Sequence, residues 1–327
     1  MDYFNKKIIL VTGACGTIGK GLISKLLDTG IEHVLAIDNN ETELFFLRQF
    51  YAKNTKITTK YCDITDRSSI SGLVKSANVV IHAAALKHVA ICEDSPVAAI
   101  RNNVHGTQNI IDACIEHGIE RMTFTSSDKA VNPTNVMGTT KLLGEKLVTA
   151  AAHFGSKTIF SSTRFGNVLG SNGSVIPIFQ QQLENGQPIT LTHEEMTRFV
   201  MTKAEACELV LKSVFEANSG ETLVTKMKVM RIYDLAVAMH QIFHKTESLP
   251  EINIIGTKPG EKLYEELTTS EEIRRTLDDK KYLRIISPFE YQTENFRANF
   301  SKEYNSASEA VMSDSDITKY LLENRLI

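Results

Sequence analysis

The sequence has no Cys-x-x-Cys pair and no Cys/His cluster; its five cysteines, Cys15, Cys62, Cys92, Cys114 and Cys207, stand singly. Such scatter argues against a disulfide framework and against a structural zinc site. No run of about 18 apolar residues occurs, so no transmembrane helix is expected. The apolar run near the N-terminus stops at Gly13, too soon for a signal peptide's apolar region and cleavage site. Neither sign of charge dominates: 36 Lys and Arg face 39 Asp and Glu, for a net charge of −3. That balance offers no global attraction to nucleic acid or to an anionic membrane. Any anionic ligand must therefore be held by local geometry. There are no repeats and no low-complexity blocks, and the chain reads as cytosolic.

What is present is an ordinary globular composition over 327 residues, 42% hydrophobic and 23% charged. At about 150 residues per domain this is two domains, or one with a substantial addition. Short apolar runs at 8–11, 33–37, 57–61, 79–82 and 122–125 predict strands. Between them, apolar residues recur at helical spacing, with helices expected near 66–76 and 96–117. Strand–helix–strand repeats of this length need crossovers, hence a doubly wound parallel sheet of Rossmann type, α/β in class, covered on both faces. Ligands of such sheets sit beyond the carboxyl ends of the strands. After about Gly170 the chain becomes turn-rich, which predicts a smaller mixed α/β substrate-binding lobe. The expected division is a dinucleotide-binding domain over 1–170, rejoined by about 196–225, and a lobe over 171–327. The stretch from about Pro288 is polar, with weak periodicity until 317–322, and reads as a peripheral tail.

TGACGTIG (12–19) lies between the first strand and the first helix. Gly13, Gly16 and Gly19 permit a tight turn and let the backbone of Cys15, Thr17 and Ile18 approach a diphosphate at the helix N-terminus. Asp38 ends the second strand, 19 residues beyond Gly19. A carboxylate there accepts both ribose hydroxyls and repels a 2′-phosphate, so NAD is favoured over NADP. Asp63, followed by Ile64, could meet the adenine amino group, or could equally be a turn or helix N-cap.

The spacing TGxxGxxG resembles that of the extended short-chain dehydrogenase/reductase family. IHAAALKHV (81–89), NVHGTQN (103–109), SSDKAVNP (126–133), RFGNVLGSNGSVIP (164–177), MTRFVMT (196–202) and KPGEKLYEEL (258–267) follow in that family's order. Together they resemble the nucleotide-sugar 4,6-dehydratases of bacterial polysaccharide and glycan biosynthesis that act on UDP-N-acetylglucosamine, over roughly residues 5 to 285. Some of those proteins carry an N-terminal membrane region, and this chain is expected to be the soluble part alone. The resemblance implies oxidation at C4, loss of water across C5–C6 and reduction at C6, with NAD regenerated each turnover. It also implies cofactor contacts at Ala83, Ala84 and Ala85, and a homo-oligomer.

Most members of the broad family place Tyr four residues before Lys on one helix face. Here the string is Met137-Gly138-Thr139-Thr140-Lys141, and a thioether is no base near neutral pH. Met137 is then expected to pack against sugar or nicotinamide, and Lys141 to hold the nicotinamide ribose. By resemblance, Asp128 is the acid for the departing C6 oxygen, Lys129 the base at C5, and Ser127 a hydrogen-bond partner of the C4 oxygen. These roles call for a raised carboxyl pKa and a lowered amine pKa. The C4 hydroxyl proton is left to Asp128, or to Lys141 through a ribose hydroxyl or water.

Arg198 suits a diphosphate. By resemblance Asn167 holds sugar or diphosphate, and Lys258 and Glu261 are phosphate and ribose contacts, with Lys258 standing where arginine is usual. Asn103, Ser174 and Val175 are expected at the substrate. Lys87 and His88 follow the fourth strand and are placed to line the site, although a lone His there is more often structural. A UDP-sugar is the expected ligand, with no metal and no nucleic acid. Two rivals stand beside this reading: a nucleotide-sugar 4-epimerase, and a nucleotide-sensing module that has lost chemistry.

Overall fold

The computed structural model describes residues 2–171, 173–290 and 296–327. Its first strand, β1 (Ile8–Thr12), is apolar almost throughout because it lies mid-sheet with both faces covered. Ile9 and Val11 pack on one side with Leu22, Ile23 and Leu26 of α1 (Thr17–Leu27), while Leu10 joins the opposite core. The alternation of strand and helix then runs through β2 (His33–Asp38), α2 (Glu41–Phe50), β3 (Ile57–Tyr61), α3 (Arg67–Val74) and β4 (Val79–His82). It continues through α4 (Val89–Asp94), α5 (Pro96–Ala99), α6 (Gly106–His117), β5 (Arg121–Thr125), α7 (Val136–His153) and β6 (Ile159–Arg164). The helix expected over 96–117 is thus interrupted: π-helical turns over Ile100–His105 join α5 to α6.

The second half brings β7 (Asn167–Val168), α8 (Val175–Glu184), β8 (Ile189–Leu191), β9 (Thr197–Met201), α9 (Lys203–Glu216) and β10 (Thr222–Thr225). These are followed by β11 (Lys228–Arg231), α10 (Ile232–His244), β12 (Ile252–Ile254), α11 (Ser270–Ile273), β13 (Thr276–Asp279), β14 (Tyr282–Ile285) and α12 (Asp314–Glu323). Nine strands form one Rossmann-type sheet in the order β13-β14-β10-β6-β5-β4-β1-β2-β3. From β3 to β10 all pairs are parallel, and β14 and β13 add antiparallel ladders. Order reverses between β1 and β4, where a crevice opens at the carboxyl ends. Thr12 and His82 end those two strands in register.

Two small sheets, β11-β9-β7 and β12-β8, lie apart from the large one. Leu169, Ile176, Phe179, Leu235, Ile317 and Leu321 form a second core between α8, α10 and α12. Two features depart from the sequence reading. The large sheet takes in β13 and β14, beyond the rejoining expected at 196–225, because an antiparallel hairpin needs no crossover. The tail is not peripheral: α12 packs on α10, Tyr304 and Ser306 are buried, and Glu266 bridges to Asn305. Sparse apolar residues hid this, since the anchors are a few side chains and backbone bonds. Among the described residues, no helix is long and apolar enough to cross a membrane.

Candidate active site

The glycine loop is shaped by close approach. Gly13 takes φ +66°, and a Cβ there would lie 2.7 Å from the Ala84 nitrogen; one at Gly19 would collide with the Gly13 carbonyl oxygen. Gly16 is the N-cap of α1 and, as a glycine, offers no capping side chain to the first turn, which contains Thr17, Ile18 and Gly19. A loop that excludes side chains and opens on a helix N-terminus fits a diphosphate. Asp38 is anchored by two backbone N–H groups, Cys15 onto Oδ2 and Asn40 onto Oδ1, both at 2.9 Å. The Cys15 thiol beside it is pushed up to about 12 by burial and by Asp38, so it stays neutral. Asp63 accepts from the Thr65 N–H at 2.8 Å, the turn alternative, while Ile64 is buried.

His82, which the sequence reading passed over, is fully buried between Thr12 Oγ1 at 2.8 Å and Thr107 Oγ1 at 3.0 Å. Burial and nearby Lys141 bring its pKa down to about 3, so it is a neutral strut. Thr12 Oγ1 in turn accepts the Ala83 and Ala84 N–H groups, fixing the 83–85 loop against β1. Asn103 completes that frame. Its amide bonds the Leu86 N–H at 2.8 Å, and the Leu86 carbonyl and Thr140 Oγ1 at 2.9 Å each. At 1% exposure it faces inward, so the expected substrate contact is corrected to a scaffold role.

Helix α7 starts at an Asn135 cap and buries Met137 and Lys141. Met137 packs with Cys92 and Ala99, flanked by Leu86 and Val89, so its partners are protein side chains. Lys141 is no surface lysine: Nζ donates to the Thr125 carbonyl at 2.8 Å and lies over the Phe124 ring. Burial, opposed by Glu145, lowers its pKa to about 8.

Ser127, Asp128 and Lys129 form a turn at the end of β5. Asp128 is 1% exposed; its Oδ1 accepts from Ser127 Oγ at 2.7 Å, Lys129 N at 2.8 Å and Lys129 Nζ at 3.1 Å. On the far side, Lys129 Nζ meets Glu265 Oε1 at 3.3 Å, and Arg198 Nε lies 3.7 Å from the same oxygen. Among the described residues, Asp128 Oδ2 and Glu265 Oε2 have no hydrogen-bond partner. An unsatisfied buried acceptor costs about 1–3 kcal/mol, and more when charged, so two of them around one ammonium mark a strained charge balance. Burial would lower the Lys129 pKa, but Asp128 and Glu265 outweigh it and raise it. This corrects the expected lowered amine. Burial pushes Glu265 up.

Arg198 is buried, with donors directed to the carbonyls of Thr197 and Lys262 at 2.8 Å and Leu263 at 3.2 Å; Glu261 Oε1 lies 3.9 Å away. It therefore pins the 258–267 segment while its Nε lies toward Glu265. That segment lies along the 129–135 turn: Lys262 Nζ donates to the Val131 carbonyl, Asn132 to Glu266, and Thr134 and Asn135 to the Gly260 carbonyl, each at 2.9 Å. Lys258 is exposed, and its N–H closes the turn onto Glu261. The tail adds support, since Ser306 Oγ accepts from the Glu265 N–H at 3.0 Å. Asn167 pairs within the small sheet. Ser174 begins the helix in which Val175 is first, and its buried Oγ has no partner among the described residues. Lys87 and His88 are exposed beyond β4, and His88 faces Gly173. Glu265 lay within a quoted motif, but one glutamate in a charged run gives no sign of burial.

This arrangement, a glycine-lined crevice at the strand ends with a buried carboxylate paired to a half-buried amine, defines an α/β enzyme of the short-chain dehydrogenase/reductase fold. Residues 9–287 match the polysaccharide biosynthesis protein family. The chain belongs to that family, as one of its nucleotide-sugar dehydratases and epimerases. It is 41% identical to a Methanocaldococcus jannaschii protein named uncharacterized membrane protein MJ1061, over 98% of this chain and 97% of that one. It is 37% identical to a Campylobacter jejuni protein named UDP-N-acetylglucosamine 4,6-dehydratase (inverting), over 86% of this chain and 83% of that one. Rickettsial proteins at similar identity are named UDP-glucose 4-epimerase. The solved structure of Pen from Bacillus thuringiensis superposes with a TM-score of 0.93 at 36% identity, covering 99% of both chains. NAD-bound dehydratases and epimerases at 18–23% identity share the fold.

Proposed function

We propose that the chain is an NAD-dependent 4,6-dehydratase converting UDP-N-acetylglucosamine to a UDP-4-keto-6-deoxy-N-acetylhexosamine, for surface polysaccharide or glycan synthesis. The observation that carries this reading is the ion pair of buried Asp128 with half-buried Lys129, just beyond the strand end whose Thr125 carbonyl Lys141 bonds. Elimination across C5–C6 needs an acid and a base that exchange at C4 alone does not. The Campylobacter relative's name supports it. The loop of Gly13, Gly16 and Gly19 would hold the cofactor diphosphate, Asp38 the adenosine ribose and Lys141 the other ribose. When bound, NAD supplies the oxidation at C4 and the matching reduction at C6, so no outside oxidant is consumed.

The protein's own groups move the protons. Lys141, with a pKa near 8 through burial, is present partly as free amine near neutral pH and is our assignment for the C4 hydroxyl proton. Asp128 protonates the departing C6 oxygen. Lys129, as free amine, removes the C5 proton that a C4 ketone makes acidic. Arg198, Lys258 and Glu261 would meet the UDP moiety and help exclude water, which keeps an unsaturated intermediate enclosed. Five buried free thiols suit a reducing compartment, so the reading places the reaction in the cytoplasm, in a homo-oligomer.

A 4-epimerase is the second reading, favoured by the names of the rickettsial relatives. Incubation of the NAD-loaded protein with UDP-N-acetylglucosamine in D₂O, followed by NMR, separates the readings. Dehydration gives a C6 methyl, a 4-keto group and solvent deuterium at C5. A C4 epimer without solvent deuterium would instead establish epimerisation, and binding without any turnover a sensing module.

Cofactor choice is a separate expectation. Asp38, held by two backbone N–H groups, would face a 2′-phosphate as a like charge. Titration should find NAD bound more tightly than NADP, with Asp38→Ala narrowing the difference. Tighter NADP binding by the unaltered protein would refute this.

A further inference from the structure

We propose that Arg164 is a positioning residue for Lys141. By engaging both carboxylate oxygens of Glu145, it denies Lys141 the ion pair that lies one helical turn away and leaves the amine free to act as a base. This rests on the reading of Lys141 as the group that takes the C4 hydroxyl proton.

Lys141 and Glu145 stand four positions apart on α7, the spacing at which a lysine and a glutamate meet on one helix face. Both are buried, at 6% and 4% exposure. A buried ammonium without a counter-ion is costly, so an ion pair between the two is what the helix alone would favour. The structure makes a different pairing. Arg164, at the end of β6, donates to Glu145 Oε1 from Nε at 2.8 Å and to Oε2 from Nη2 at 2.6 Å. Its other bonds hold Glu272 of α11 and the Leu267 carbonyl. Lys141 Nζ turns instead to the Thr125 carbonyl at 2.8 Å and to the Phe124 ring. Among the described residues it pairs with no carboxylate. A planar fork of donors matches a carboxylate better than a single ammonium does, so the arginine takes both oxygens.

The consequence is electrostatic. The titratable groups facing Lys141 are Glu145 from its own helix and His82 from β4, which is neutral; β5 contributes the Thr125 carbonyl and the Phe124 ring. Burial lowers the Lys141 pKa to about 8, and Glu145 works against it. A glutamate already neutralised by a guanidinium works against it less. The amine thus keeps a proton affinity matched to a neutral medium, which suits a base. Released from Arg164, the Glu145 carboxylate would be free to pair with Lys141 and hold it as the ammonium.

The test needs no turnover. Lysine labelled with carbon-13 at Cε reports the ionisation of each amine by NMR, and Lys141→Arg identifies the Lys141 signal. With NAD bound, Arg164→Leu should raise the Lys141 midpoint by roughly one pH unit, the effect of one nearby charge. Glu145→Gln should lower it by a similar amount. Both variants weaken the same buried network, so lost stability alone does not give shifts of opposite sign. Glu272→Gln, which takes the other carboxylate from the same guanidinium, should leave the midpoint in place. The double variant Arg164→Leu with Glu145→Gln should lack the upward shift, because that shift acts through Glu145. A midpoint that stays or falls in Arg164→Leu would overturn the proposal. So would a shift in Glu272→Gln equal to that in Glu145→Gln. The rising limb of kcat/KM, which reports the free enzyme, should follow the midpoints. Midpoints that move as expected with no 4-keto sugar formed would support the proposal and refute the dehydratase reading alone. If melting shows that Arg164→Leu does not fold, the contrast between Glu145→Gln and Glu272→Gln decides.

Discussion

Asp128→Asn and Lys129→Ala should each lower turnover of UDP-N-acetylglucosamine by about 10²–10⁴-fold, the usual contribution of a positioned acid or base. Asp128 is 1% exposed and shares its Oδ1 with the Lys129 ammonium at 3.1 Å. Asparagine keeps the shape and removes the proton carrier, so the loss should appear in kcat rather than in folding. Met137→Ala should behave in the opposite way. Met137 is packed with Cys92 and Ala99 rather than joined to a proton path. Its truncation should cost stability, about 2–5 kcal/mol for a buried methionine, and turnover only modestly. Steady-state kinetics and melting of the three variants make the comparison. A Met137→Ala defect in kcat as large as that of Asp128→Asn would show that the thioether has a part in the chemistry.

Arg164→Leu should lower unfolding free energy by about 3–5 kcal/mol, because it takes from two buried carboxylates the guanidinium they share, leaving Glu272, among the described residues, with Arg275 and the Thr269 N–H alone. Arg164 donates to Glu145 from Nε at 2.8 Å and Nη2 at 2.6 Å, and to Glu272 from Nη1 and Nη2 at 2.7 Å. A further Nη1 bond reaches the Leu267 carbonyl at 3.0 Å. The arginine thus ties α7, which carries Lys141, to β6 and α11, just beyond the Glu265 segment. Burial alone would raise the Glu272 pKa, but Arg164 outweighs it and holds it at about 2. A carboxylate depressed in the folded state contributes stability above its unfolded pKa and loses it as pH falls. The wild-type contribution should therefore disappear between about pH 4.5 and 2. In Arg164→Leu, Glu272 keeps only Arg275, 3.6 Å away, and the Thr269 N–H, so its burial is less fully offset, it takes up its proton at a higher pH, and the deficit should shrink as pH is lowered from neutrality. Urea unfolding across pH tests both. A deficit independent of pH would mean that lost packing, not charge, dominates.

Much of the frame was legible in the residues themselves. Strand and helix periods are local properties, and a strand buried on both faces must be apolar almost throughout, so the parallel sheet could be read directly, whereas the reversal of its order between β1 and β4 belongs to the tertiary structure. The glycine loop was legible for the same reason, because only glycine fits where a Cβ would meet the Ala84 backbone. So was the adjacency of Asp128 and Lys129, which needs no folding to bring them together.

The tertiary structure decided what those groups experience. Glu265 and Lys129 are 136 positions apart in sequence, yet 3.3 Å separates their charged atoms. No local pattern encodes that pairing. Burial has the same character: Lys141 and Asn103 look like surface residues in the sequence, but the first bonds the Thr125 carbonyl and the second frames the 83–87 loop. The tail joins the core through a few anchors, Tyr304, Ser306 and Ile317 among them. Periodicity states which residues can share a face, whereas desolvation and charge pairing depend on which distant segments cover that face.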